Sequence, residues 1–231
     1  KQKKQLGKQF DAYLAQQGLT EETAKKQIRS NMLLEYAVNQ AAKKDIKESD
    51  YKAAFESYTP EVTAQIIKLD SEDKAKEVLE AAKAEGADFA QIAKDNSTDT
   101  ATKDKGGEVK FDSGTADTPS QVKEAAFKLD ENGMSDVNTV SVGQNYSASY
   151  YIVKLNKKTE KGSDWKKYEK RLKEIIVDGR KQDTNYIRSI IAKAMTNANI
   201  KVKDDAFKST FNQYLQNIGV QTSDSSSSSK K

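Results

Sequence analysis

Glu61-Val62-Thr63-Ala64-Gln65-Ile66-Ile67-Lys68-Leu69 decides the fold. Val62, Ala64 and Ile66 point one way and Gln65, Ile67 and Leu69 the other, and this period of two predicts a strand. Ser71 then stands as an N-cap before the acidic first turn Glu72-Asp73, with Ala75, Val78, Leu79 and Ala82 at helical spacing and Gly86 placed to end the helix. A shorter helix runs through Phe89, Ile92 and Ala93. Ser97-Thr98-Asp99 and a polar run lead to Gly106-Gly107, a glycine-permitted turn into a second strand ending at Phe111. Thr118-Pro119-Ser120-Gln121 reads as a capping box, with Val122, Ala125, Ala126 and Leu129 on one face behind it. Asn132-Gly133 makes a turn, and strand-like runs at 137–142 and 150–155 suggest a hairpin that closes the unit. Gly106-Gly107 is no phosphate loop, because no Lys-Ser or Lys-Thr follows at the right spacing.

The flanks are helical. Leu6, Phe10, Tyr13 and Leu14 form a stripe before Gly18, and Thr20 opens a longer helix with Ala24, Ile28, Met32, Leu33, Tyr36, Ala37 and Ala41 on one face. A third helix starts at Ser49-Asp50 and stops at Thr59-Pro60, because the residue before proline avoids helical geometry. Ser163-Asp164 caps the longest periodic segment, Trp165 to Ala194, in which Gly179 offers a kink and a straight helix is the alternative. Ile200-Lys201-Val202 suggests a short strand, and Asp204-Asp205 begins a last helix through Phe207, Phe211, Tyr214 and Leu215. Neither flank has a partner for its apolar face within itself. The expected architecture is therefore α+β: a small antiparallel sheet with helices, residues 59–155, inserted into a helical domain built from 1–58 and 156–218. The serine-rich segment 219–231 cannot build a core and is expected to be disordered.

Within that frame the ordered motifs Ser97-Thr98-Asp99, Gly106-Gly107, Phe111, Ala125-Ala126-Phe127-Lys128-Leu129, Gly133-Met134-Ser135-Asp136 and Tyr150-Tyr151-Ile152-Val153-Lys154 resemble a parvulin-type peptidyl-prolyl isomerase domain. With helical flanks on both sides, the whole chain is similar to the PrsA-type foldase lipoproteins of Gram-positive bacteria, particularly the streptococcal proteinase-maturation branch. The resemblance implies a lipid-anchored folding factor on the outer face of the cell membrane, with the anchor upstream of this fragment and unfolded secreted proteins as partners. A homodimer is left open.

The resemblance also places the site, and there the chain departs from the pattern. Active parvulins carry a histidine on the first strand, where this chain has Gln65, and another on the closing strand, where it has Tyr151. Asp99 falls where the family has cysteine or aspartate, although a local turn explains it equally well. Thr118 and Val122 fall where a methionine and a phenylalanine cradle the substrate proline, and Phe111 and Phe127 complete the implied substrate-binding set. Rotation about an Xaa-Pro bond faces a barrier of roughly 18–20 kcal/mol, which a catalyst lowers by binding the twisted amide more tightly than either planar isomer. No proton need be abstracted, so fixed dipoles and an apolar slot can suffice in principle. Gln65 and Tyr151 can hydrogen-bond across neighbouring strands in place of the imidazoles. Thr118 and Val122, however, offer a smaller and more polar wall. The expectation is weak or absent isomerase activity, with a working isomerase of altered site as the alternative.

Composition narrows the chemistry further. The 231 residues include no cysteine and no histidine, which removes disulfides, thiol catalysis and the usual zinc site together, and no cofactor or metal is expected. At 35% hydrophobic and 32% charged the chain suits a heavily solvated protein, and no run approaches the roughly 18 apolar residues that a membrane span needs. There is no signal peptide, and Lys1-Gln2-Lys3-Lys4 reads as a processed or truncated start. Residues 61–155 hold 11 lysines and no arginine against 18 acidic residues, whereas the whole chain is +4, so the flanks are basic. Lysines spread around helices without a recognition motif argue against nucleic acid and leave anionic lipids, anionic wall polymers or acidic patches on clients. Candidate client contacts are Phe10, Tyr13, Tyr36, Trp165, Tyr168 and Tyr214, each of which core burial explains as well.

Overall fold

The computed structural model describes Lys4, residues 7–142 and 147–198, and residues 207–209, 212, 215 and 216. It divides into two compact units, Ala53–Tyr168 and the flanks Lys1–Lys52 with Glu169–Lys231. The expected short strand at 200–202, the aromatics Phe211 and Tyr214, the hairpin loop at 143–146 and the serine-rich tail lie outside the described residues.

The central unit is a four-stranded antiparallel sheet in the order β2-β1-β4-β3, from β1 (Val62–Leu69), β2 (Glu108–Phe111), β3 (Asn138–Val142) and β4 (Ser147–Lys158). β4 pairs with all of β1, from Val62 opposite Lys158 to Leu69 opposite Tyr150, with an irregularity between Thr63 and Ala64. Alternation along β1 separates two cores. Val62, Ala64 and Ile66 join Phe111, Tyr151, Val153 and Leu155 beneath Val122 and Ala126 of α6 (Ser120–Lys128). Ile67 and Leu69 join Ile152 on the other face, under α4 (Glu72–Lys83) and α5 (Phe89–Asn96). Each large apolar side chain so buried contributes roughly 1.5–3 kcal/mol, so both faces of β1 hold the unit together.

Local chemistry sets the helix starts. Ser71 Oγ accepts from Lys74 N at 3.4 Å, and Asp88 Oδ1 accepts from Ala90 N at 3.0 Å and Gln91 N at 3.2 Å, so each satisfies first-turn N–H groups. The expected capping box at Thr118 does not form. α6 begins one residue later, Pro119 occupies the cap position without a side-chain bond, and Thr118 is buried.

In the flanking unit, α1 (Phe10–Gln16) precedes α2 (Glu21–Lys44), whose N-cap Thr20 exchanges side-chain and backbone bonds with Thr23. After α3 (Glu48–Ser57), the chain returns as α7 (Glu169–Gln182) and α8 (Thr184–Asn197). α2 buries Val38 and Ala42, and α7 buries Leu172 and Val177. Arg180 Nη1 donates to Ala42 O at 3.0 Å and Nη2 to Asp50 Oδ2 at 2.8 Å, placing a cation on the carbonyl end of α2.

Two expectations change here. Ile28 at 58%, Met32 at 65%, Leu33 at 59% and Tyr36 at 64% exposure do not form the buried face of α2. Val38 stands two residues, about 200°, beyond Tyr36, so the row that meets the core lies across the helix from that stripe. The long C-terminal segment is neither straight nor kinked at Gly179. Gly179 stays within α7, and the break falls at Asp183, whose Oδ1 accepts from Asn185 N at 2.8 Å and Tyr186 N at 3.3 Å to start α8.

Candidate functional site

The site begins on β1. Gln65 is half-buried, and its Nε2 donates to Gly106 O at 2.9 Å. Gly106 has φ +67° and Gly107 φ +79°, a Cβ on the first would meet Ala90 Cβ at 2.7 Å, and one on the second would collide with the Ile66 carbonyl. Glycine is therefore required twice to lay the loop against β1, where Ile66 N donates to Gly107 O at 2.9 Å. The residues just before that loop extend the contact. Lys68 N donates to Ser97 Oγ at 3.1 Å, Thr98 N donates to Lys68 O at 2.8 Å, and Thr98 Oγ1 donates to Asp70 Oδ1 at 3.2 Å.

Asp99 follows at the end of this clasp. Its Oδ2 accepts from Thr102 Oγ1 at 2.5 Å and its Oδ1 from Ala101 N at 3.3 Å, the bonds of a local turn. The same carboxylate also acts on Tyr151. That phenol, 9% exposed, is held above the ordinary tyrosine value of 10.0, first by burial, then by Asp99 and then by Asp70. It therefore remains a neutral hydrogen-bonding group around pH 7.

Gln65 and Tyr151 do not bond to each other. Gln65 lies opposite Lys154 and Tyr151 opposite Lys68 in the β1–β4 register. Gln65 shares the alternate positions of Ile67 and Leu69, whereas Tyr151 belongs to the cluster of Val62, Ala64 and Ile66. In place of the expected bridge across neighbouring strands, Gln65 bonds to Gly106 O, and Tyr151 is buried where the charges of Asp99 and Asp70 disfavour its ionised form.

The implied substrate wall lies with Tyr151. Phe111 and Phe127 meet edge to face at 5.9 Å between centroids. Phe111 and Val122 are fully buried, Thr118 is buried and Phe127 is half-buried. In this conformation Phe111 and Val122 are core and present no surface to a substrate. Among the proposed client aromatics, Tyr13 and Tyr36 are exposed, Phe10 and Trp165 are half-buried, and Tyr168 stacks on Phe55 at 5.8 Å and meets Tyr58 edge on at 5.3 Å. Asp70, which joins the clasp through Thr98, is not among the site residues that the resemblance implies, and Ser97 and Thr98 enter there only as parts of a motif. The available signal was an acid directly after a strand and a Ser-Thr-Asp run three residues long.

This sheet, with its paired glycines and its Asp99 loop, has known relatives. Residues 55–159 match the family described as a PPIC-type PPIASE domain. Foldase protein PrsA of Streptococcus sanguinis is 63% identical over 219 residues, 95% of this chain and 65% of that protein. Foldase protein PrsA of Streptococcus gordonii is 58% identical over 230 residues, 100% of this chain and 72% of that protein. The chain belongs to the PrsA foldase family. The crystal structure of foldase protein PrsA from Streptococcus pneumoniae matches with a TM-score of 0.83 at 54% identity, covering 92% of this chain and 78% of that one. The α+β architecture with its small antiparallel sheet is thus the PrsA and parvulin architecture. The chain spans 65% and 72% of the length of the first two relatives.

Proposed function

We propose that this chain is the working part of an extracytoplasmic folding factor that holds secreted polypeptides while they mature, and that its parvulin domain is weak or inactive as an isomerase. The burial of Tyr151 at the position of the family's second histidine carries the reading. The phenol lies in one buried cluster with Phe111 and Val122, which leaves these side chains no free face for a proline ring, and Gln65 spends its amide on a backbone carbonyl. Neither group titrates near neutrality. Anchoring to the membrane through a lipid upstream of this fragment, and self-association, belong to the same reading and rest on family resemblance. Among the described residues, no helix is long and apolar enough to cross a membrane.

One observation favours the alternative of an active isomerase with an altered site. The Asp99 carboxylate is close enough to raise the pKa of Tyr151, and the neutral phenol it helps to maintain is a dipole that could stabilise a twisted amide. Exchange spectroscopy on Xaa-Pro peptides, run beside suppression of aggregation of an unfolded secreted protein, separates the two. Suppression without catalysed exchange is the expected result. Catalysed exchange at parvulin rates that Asp99→Ala abolishes would establish the enzyme.

A further inference from the structure

A groove of about 450 Å³ runs between α2 and α7 within the flanking unit. Lys43 of α2 and Lys170, Lys173 and Lys181 of α7 line it, together with Glu174 and Asp178. The two acids are already matched, Glu174 by Arg171 at 3.0 Å and Asp178 by Lys181 at 3.4 Å. Lys43, Lys170 and Lys173 are exposed and have no carboxylate within ion-pair distance among the described residues. The groove is therefore a cationic cleft with three uncommitted ammonium groups.

We propose that this groove receives an acidic segment of a polypeptide, an inference that rests on the folding-factor reading and names the chemistry of what the helical unit holds. Charge complementarity selects an anionic partner. A peptide suits the groove better than a phosphate polymer, because its backbone N–H groups can donate to the remaining lone pairs of Glu174 and Asp178 while its own carboxylates meet the lysines, whereas a phosphate polymer brings acceptors alone. Asn39 offers an amide to the same chain and Val177 an apolar floor, which suits alternating peptide and side-chain groups. The lining from Lys170 to Lys181 spans about 16 Å of helix at 1.5 Å per residue, the length of about five residues of extended chain. Exposed lysines bind reversibly and are screened over a Debye length of about 8 Å at physiological salt, as release of a client without an energy source requires.

The test is fluorescence anisotropy on the whole chain with a labelled peptide of alternating glutamate and glycine, its glutamine counterpart, and inorganic polyphosphate as competitor. The glutamate peptide is expected to bind at low salt at least about tenfold more tightly than the glutamine peptide, and to be released as salt rises. Combining Lys43→Glu, Lys170→Glu and Lys173→Glu should remove that difference, while Lys76→Glu on α4 should leave it intact. Equal binding of the two peptides, or full binding by the triple variant with unchanged circular dichroism, overturns the proposal. So does polyphosphate binding more tightly than the glutamate peptide, which would make the groove a phosphate-polymer site. Aggregation suppression measured on the same samples separates the two readings. If the peptide fails to bind while suppression persists, the groove assignment falls alone; if the unmodified chain suppresses nothing, the folding-factor reading falls.

Discussion

Gln65 and Tyr151 sit on hydrogen-bonded strands but three register steps apart, and they serve different faces of the sheet. Gln65 ties β1 to the glycine loop, whereas Tyr151 fills the core beneath α6. Their contributions to stability are therefore expected to be independent. In a double-mutant cycle, Gln65→Ala should cost about 1 kcal/mol through loss of its bond to Gly106, and its coupling to Tyr151→Phe should stay below about 0.5 kcal/mol. Coupling well above that value in urea titrations would mean that the two residues act as a pair.

Tyr151 also sets an alkaline limit. Burial, Asp99 and Asp70 raise its folded value above the ordinary 10.0, so above pH 10 the folded chain keeps a proton that the unfolded chain releases. The stabilisation is present below the unfolded value and is lost as pH climbs through the folded one. Tyr186 has the same direction, chiefly from burial. The urea midpoint should fall as pH rises above the ordinary tyrosine value of 10.0, and Tyr151→Phe should flatten part of that fall. An unchanged slope in the variant would place the proton release elsewhere.

Two glycines should respond oppositely to alanine. Gly107 combines φ +79° with a Cβ position inside the Ile66 carbonyl, so Gly107→Ala must move backbone on β1 and should cost at least about 2 kcal/mol. Gly179 lies within α7 with nothing within 4 Å of its Cβ position, so Gly179→Ala should stabilise by about 0.5–1 kcal/mol. Thermal melts of the two variants check both signs.

What could be read in advance follows from the range of the interactions. The β1 alternation, the Ser71 cap and the glycine turn are written in adjacent residues, and the sheet they imply is the one the PrsA architecture contains. The buried face of α2 differs from the one its periodicity implies, because Ile28, Met32 and Tyr36 have the spacing of a buried stripe while burial is decided by α7, about 140 residues away, against Val38 and Ala42. Within the site, Gln65, Asp99 and Tyr151 are singled out by the family resemblance alone, and their spatial relation does not follow from it. The β1–β4 register fixes which residues face each other, and two separate strand patterns do not state it. The α2–α7 groove was equally hidden, since lysines on helices distant in sequence gain a shared purpose only when packing brings them together.

Arg180 joins parts of the flanking unit that no local pattern connects. Its fork reaches the Ala42 carbonyl and the Asp50 carboxylate at once, a geometry that a lysine ammonium cannot reproduce. Arg180→Lys and Arg180→Ala should both destabilise, by about 1–3 kcal/mol, with lysine recovering only part of the loss. A lysine variant as stable as the original in chemical denaturation would show that charge alone matters there.

The neighbouring ring supplies the converse case. Tyr186 lies under Arg180, with the guanidinium 5.3 Å from its ring centroid, and its hydroxyl is buried without a hydrogen-bond partner among the described residues. A buried donor left unpaired costs roughly 1–3 kcal/mol of desolvation that nothing returns. Tyr186→Phe keeps the ring beneath the cation and deletes the orphaned group, so it should leave stability unchanged or raise it by about 1 kcal/mol. It should also remove one tyrosine from the alkaline titration. A clear loss of stability in Tyr186→Phe would mean that the hydroxyl has a partner in solution, and Tyr186→Leu, which discards the ring face as well, should be the more damaging change of the two.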